Sequence, residues 1–243
     1  MSVMPRPVSR APLGSRAIAA QAAGLAATYA LATVIGRIIQ APLTFTLLAA
    51  GVFCGVALIA ISYLHNHPFE QFGPANLVTT VRVVAVSLVV ALIGESRTPA
   101  AAWTAAIGGC VSTLLDGVDG WLARRSGLAS EFGARYDMEI DALLILALCA
   151  LAWQHEKAGA WILLAGAMRY LFIGAGYIWS WMNAPLPPSF RRKAVCVVQI
   201  VGLILAVAPL TTVPLSVFVS LLTLVSLLWS FGVDVVWLWQ HGE

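Results

Sequence analysis

DGVDGWLARRSGLASEFGARYDMEID, residues 116–141, decides how this chain is read. Asp116, Asp119, Asp137 and Asp141 fall at regular steps, with Gly117, Gly120, Ala123, Arg124 and Gly133 between them. Long apolar runs flank the stretch on both sides. A carboxylate in or beside a bilayer is costly and is usually there for a function. Residues three or four apart share a helix face. Asp116 and Asp119 therefore lie together, continued by Ala123 and Arg124, and Gly133, Asp137 and Asp141 form one stripe. Two antiparallel helices joined by a short loop pack side by side, so the stripes meet and the carboxylates converge. Their mutual repulsion in a low dielectric is strong, and bound divalent cations relieve it. Carboxylate oxygens suit Mg²⁺ or Mn²⁺, ions often shared with substrate phosphates. The glycines allow close helix contact and leave room for a ligand. Arg124 offers a bidentate fork for phosphate. A metal pair beside a phosphate clamps an attacking and a leaving oxygen. The residues alone thus point to metal-assisted phosphoryl transfer at a membrane surface. Pairing with Arg82, Arg124, Arg125, Arg135 or Arg169 would explain one or two of the acids, not the regular set. Glu139 lies about 200° around the helix from Asp137, so it is left out of the site and expected either to have a structural partner such as an arginine or to be protonated.

Composition agrees with a membrane setting. Of 243 residues, 60% are hydrophobic and 10% charged, against roughly 25% charged in a soluble domain. The mean hydropathy is +0.88. Apolar runs of about 20 residues, each able to span a bilayer as a helix, recur along the chain. The cysteines Cys54, Cys110, Cys149 and Cys196 stand singly in apolar runs, which implies neither disulfides nor zinc. The tryptophans fall mostly near helix ends, as an aromatic belt does, and no nucleic-acid partner is implied.

Residues 1–16, rich in Pro, Ser and Arg, read as a disordered cytoplasmic tail. Residues 17–73 read as two additional transmembrane helices (17–36 and 42–64) and a polar connector. His65 and His67 sit in that connector and read as interfacial loop histidines rather than metal ligands. Residues 74–243 carry six further helices, over 76–94, 99–124, 131–154, 160–182, 190–209 and 215–239. Asn76 or Thr79 is a candidate cap for the first of these, and Arg82, two turns in, either snorkels or meets a carboxylate. The fold class is therefore an all-α polytopic membrane protein of about eight helices. Arg6, Arg10, Arg16, Arg124, Arg125, Arg135, Arg191, Arg192 and Lys193 fall on one side, and Arg37, Arg97 and Lys157 on the other. The excess places both termini and the aspartates at the cytoplasmic face.

The spacing Asp116-x2-Asp119-Gly120-x2-Ala123-Arg124-x8-Gly133-x3-Asp137-x3-Asp141 resembles the complete signature of the CDP-alcohol phosphotransferase (phosphatidyltransferase) class-I family. The resemblance covers about residues 74–239, the six-helix core of that family. It implies that the four aspartates bind two divalent metals and that Asp141 also takes the proton from the acceptor hydroxyl. Gly117 and Gly120 would let the nucleotide approach the backbone, and Arg124 and Ser130 would contact the CDP phosphates. The stretch Asn76 to Arg82 resembles the family's first core helix, whose Asn76 and Thr79 positions help hold the cytidine nucleotide. The implied reaction is attack of an alcohol on a CDP-linked lipid, in bacterial members usually CDP-diacylglycerol, with release of CMP. The same resemblance implies an enzyme of phospholipid synthesis and, by analogy, a homodimer; the bacterial look of the chain points to the inner membrane.

The acceptor is read from softer features. Arg169 and the Arg191-Arg192-Lys193 cluster are candidate cations for a phosphorylated acceptor, which favours glycerol 3-phosphate. SEFGARYD, residues 130–137, resembles the matching stretch of bacterial phosphatidylserine synthases of this family, and Met138 stands where glycerol-phosphate enzymes often carry Pro, so serine is the alternative. Two other classes fit the composition. A cation transporter would place its ions near the midplane on broken helices within inverted repeats; here the acids cluster near one face and no repeat is visible. An inactive scaffold is the third.

Overall fold

The computed structural model describes residues 13–64, 68–69, 72–128 and 130–241. His65, His67 and the tail to residue 12 lie outside them. Among the described residues eight long helices run in order: α1 Leu13–Ile39, α2 Leu43–Tyr63, α3 Pro74–Ala91, α4 Pro99–Ser126, α5 Glu131–Gln154, α6 Leu163–Ile178, α7 Phe190–Val207 and α8 Val213–His241. Short 3-10 turns, Ala160–Ile162 and Ser180–Asn183, bracket α6. No strand occurs among the described residues. The chain is an all-helical polytopic membrane protein.

Six of the helices are long and apolar enough to span a membrane by length and composition: α1, α2, α3, α4, α8, and α6 with its preceding turn. The other two, α5 and α7, miss only through their charges. α5 carries Glu131, Arg135, Asp137, Glu139 and Asp141, and α7 opens on Arg191, Arg192 and Lys193. Both pack inside the same bundle, α5 against α3, α6 and α7, and α7 against α4, α5 and α8. α3 is the hub, with α1, α2, α4 and α5 all packed on it. Outward side chains such as Leu58, Leu114, Ile178 and Val225 are exposed and apolar, as lipid-facing surfaces are.

Local chemistry sets the helix ends. α1 begins at Leu13, so residues 13–16 are helical rather than part of a tail. α3 is started by Gly73 at φ 76° and Pro74 in its first turn, with no side-chain cap. The expected caps do other work: Asn76 donates back to the Phe72 carbonyl, and Thr79 reaches into the site. α3 stops at Ala91, three residues short of expectation, because Gln154 of α5 seizes the turn beyond it. The Gln154 amide accepts from Gly94 N at 2.7 Å and donates to the Glu95 carbonyl at 2.9 Å. α4 starts on Thr98, which caps Ala101 N at 3.1 Å, and ends on Gly127 at φ 67°. α5 starts on Ser130, whose Oγ accepts from Gly133 N at 3.1 Å. The link between α4 and α5 is thus only residues 127–130, and it forces the two motif helices into an antiparallel hairpin.

Candidate active site

The four aspartates do converge, and a cation already stands among them. Arg82 of α3 is fully buried. Its Nη1 lies 3.2 Å from Asp116 Oδ1 and 2.9 Å from Asp119 Oδ2, and also contacts Asp137. Its Nη2 contacts Asp141. The sequence left Arg82 between snorkelling and pairing, and arginine pairing was expected to account for only one or two of the acids; that expectation fails, because this one buried guanidinium pairs with all four. Thr79, one turn earlier on the same face, donates from Oγ1 to Asp119 Oδ2 at 3.1 Å. α3 is therefore the third wall of the site. One guanidinium against four carboxylates leaves a formal charge of −3, so the site remains strongly attractive to cations.

The four acids are not equivalent. Oxygens of Asp116, Asp119 and Asp137 lie within 4.8 Å of one another, a spacing one metal ion can bridge. Asp141 stands apart from that group, one turn deeper along α5 and on the other guanidinium nitrogen. Asp119 is the most enclosed, at 6% side-chain exposure, while Asp116 and Asp137 open to the mouth at 36% and 34%. A set of oxygen-only ligands around a cation fits Mg²⁺ or Mn²⁺.

The glycines behave as two kinds. A Cβ on Gly117 would meet nothing within 4 Å, and one on Gly120 would meet only Arg124 Nη1 at 3.5 Å. These two line open space beside the carboxylates. A Cβ on Gly133 would stand 3.2 Å from Asn76 Oδ1 and 3.4 Å from Ser130 Oγ. Gly133 therefore serves close contact between the starts of α5 and α3. Arg124 is exposed, lies over Gly120, and takes part in no ion pair among the described residues.

The candidate acceptor cations divide in the same way. Arg169 of α6 binds Glu139 at 2.6 Å, on the face of α5 turned away from the aspartates. That supplies the arginine partner expected for Glu139 and ties α6 to α5. Arg191 binds Asp234 of α8 at 2.5 Å and donates to Ser230 Oγ at 2.6 Å. Arg192 shares Asp234 at 3.1 Å. Lys193 is exposed. Cys196, one turn beyond Arg192, lies within electrostatic reach of Asp141, Asp116, Asp137 and Arg82. Cys196 therefore faces the aspartates, while the Arg192 guanidinium is held by Asp234 and donates to the Pro187 carbonyl. Asp234 was not singled out from the sequence; a lone acid in an apolar run on α8, opposite a basic triplet, was the available signal.

The sequence model of the CDP-alcohol phosphatidyltransferases matches residues 72–232, which takes in α3 to α7 and most of α8. No curated protein and no solved structure matches the chain.

Proposed function

Because the chain belongs to the CDP-alcohol phosphatidyltransferase family, whose members are transferases of phospholipid synthesis, we propose that it moves a phosphatidyl group from CDP-diacylglycerol to glycerol 3-phosphate. The observation that carries the mechanism is the separation of Asp141 from the Asp116, Asp119 and Asp137 group. A base must reach the acceptor hydroxyl without being wholly consumed as a ligand.

Asp116, Asp119, Asp137 and Asp141 would hold two divalent cations, Mg²⁺ or Mn²⁺, which when bound polarise the phosphoryl oxygens and balance the charge of the pyrophosphate. Gly117 and Gly120 leave the α4 backbone open to the nucleotide. Asn76, from the start of α3, faces the same hairpin near Gly133, and Thr79 orients Asp119. Arg124 offers its fork to the CDP phosphates, and Ser130, the cap of α5, stands beside Gly133 at the same mouth. The acceptor oxygen forms a bond to the β-phosphorus while the bond to CMP breaks. CMP leaves with that electron pair, and the hydroxyl proton passes to Asp141. Arg192, leaving its share of Asp234 to Arg191, would meet the acceptor phosphate with Lys193 beside it, while Arg169 holds Glu139 behind them. The enzyme would work in the inner membrane with the aspartates facing the cytoplasm, as a homodimer.

CMP release by purified protein with CDP-diacylglycerol and Mn²⁺ or Mg²⁺ tests this, with glycerol 3-phosphate, serine and inositol phosphate offered singly. Release with glycerol 3-phosphate alone is expected. Release with serine alone would replace the acceptor, and silence with all three would turn the search to other CDP-linked donors. SEFGARYD and Met138 are what favour serine as the second reading. The variant Arg192→Ala should raise the KM for glycerol 3-phosphate by about tenfold or more, the worth of a charged hydrogen bond. The donor KM should stay put. Asp234 keeps Arg191 in this variant, so an unchanged acceptor KM would remove Arg192 from the acceptor site.

A further inference from the structure

Helices α1 and α2 lie outside the matched segment, yet α1 touches the wall behind the aspartates. Its buried stripe is Ala17, Gln21, Gly24, Thr28, Ala32 and Gly36. Gln21 carries the one side-chain amide in that stripe and is 5% exposed. Gly24 makes the approach close, since a Cβ there would stand 3.1 Å from Thr80 Cγ2. The Gln21 amide nitrogen then reaches Thr80 Oγ1 at 3.4 Å. The buried phenol of Tyr136 lies beside both Gln21 and Thr80, within reach of the Arg82 charge. Gln21 Oε1 and the Tyr136 hydroxyl are both buried without a hydrogen-bond partner. One is an acceptor lacking a donor and the other a donor lacking an acceptor. A turn of the Gln21 amide would join them.

The neighbours of these groups give the contact its meaning. Thr80 follows Thr79, which holds Asp119, and Tyr136 precedes Asp137. Turning α5 about its axis would move Tyr136 off Gln21 and Asp137 off Arg82 together. We propose that Gln21 is a positioning residue for the aspartate site: its amide locks α3 and α5 in the rotation that gathers the carboxylates. The first of the two added helices is then part of the catalytic scaffold. The proposal rests on the metal-site reading above.

The test uses full-length protein in lipid nanodiscs. Gln21→Met keeps the volume and removes the amide; Tyr136→Phe removes only the hydroxyl. Mn²⁺ affinity is read by electron paramagnetic resonance of the free ion, and turnover by CMP release. Each variant should bind Mn²⁺ about tenfold more weakly and lose kcat by a similar factor, the low end for groups that orient metal ligands. The donor KM should be unchanged. The double variant should be no worse than either single one, since both cut the same link. Wild-type Mn²⁺ affinity in both variants overturns the proposal, as do losses that multiply in the double variant. Should Gln21→Met fail to fold, Tyr136→Phe decides by the same readouts. A wild-type protein that binds Mn²⁺ but releases no CMP would sink the substrate reading while leaving Gln21 to be judged on Mn²⁺ affinity. A wild-type protein that binds no Mn²⁺ overturns both.

Discussion

Asp141→Asn should abolish CMP release, by at least about a thousandfold, while the protein still inserts and still binds Mn²⁺. The amide keeps the size and much of the hydrogen bonding of the carboxylate and loses its basicity. General-base catalysis is worth about 10²–10⁴-fold, and this base has no substitute nearby, since the remaining acids form their own group around Arg82 Nη1. That group, Asp116, Asp119 and Asp137, is the reason Mn²⁺ binding should survive. The comparison with Asp119→Asn is informative. Asp119 is the most enclosed of the four and is fixed by Thr79 and Arg82, so its loss should weaken Mn²⁺ binding as well as turnover. Appreciable turnover in Asp141→Asn would remove Asp141 as the base.

The second large effect is on stability. Arg82→Met should make the fold depend on divalent cations. With the guanidinium gone, four carboxylates face one another, the Asp119 and Asp141 side chains largely enclosed and Asp116 and Asp137 nearer the mouth. Removing one partner of a buried ion pair costs about 3–5 kcal/mol because the other is left uncompensated. Thermal unfolding in EDTA should therefore shift to markedly lower temperature. Saturating Mn²⁺ should restore much of the loss, because a ligand of the native state stabilises it by mass action. The unsubstituted protein should respond less to EDTA. If Arg82→Met unfolds at the same temperature with and without Mn²⁺, the carboxylates are not held against a cation in the native state.

How much of this was legible in the sequence follows from the range of each interaction. The aspartate stripes lie on one local hairpin, so helical period and loop length were enough to bring them together. The eight helices followed from apolar runs alone. Their ends were less well read where a distant residue sets them: Gln154 shortens α3 from 60 residues away, and periodicity carries no trace of that. Asn76 and Thr79 were read as caps because their types suit the place, but Gly73 and Pro74 had already turned the chain. Arg82 was left open for the same reason, since its partners are side chains on two other helices. The acceptor cations were visible as charges, while their division between structural pairs and open groups needed Glu139 and Asp234 to be placed. Gln21 gave no signal, because an amide in an apolar run points nowhere until its neighbours are known.

The place of Arg82 in the chain also bears on how the protein is made. A membrane protein is synthesised from its N-terminus, and 37 residues separate Arg82 from Asp119. The guanidinium is therefore laid down in α3 before any of the acids emerges. The aspartates of the α4–α5 hairpin arrive to find one shared counter-charge waiting, and the hairpin can enter the bilayer with one of its four charges offset whatever the supply of metal. A transposed order, acids first, would expose four unpaired charges at the insertion step.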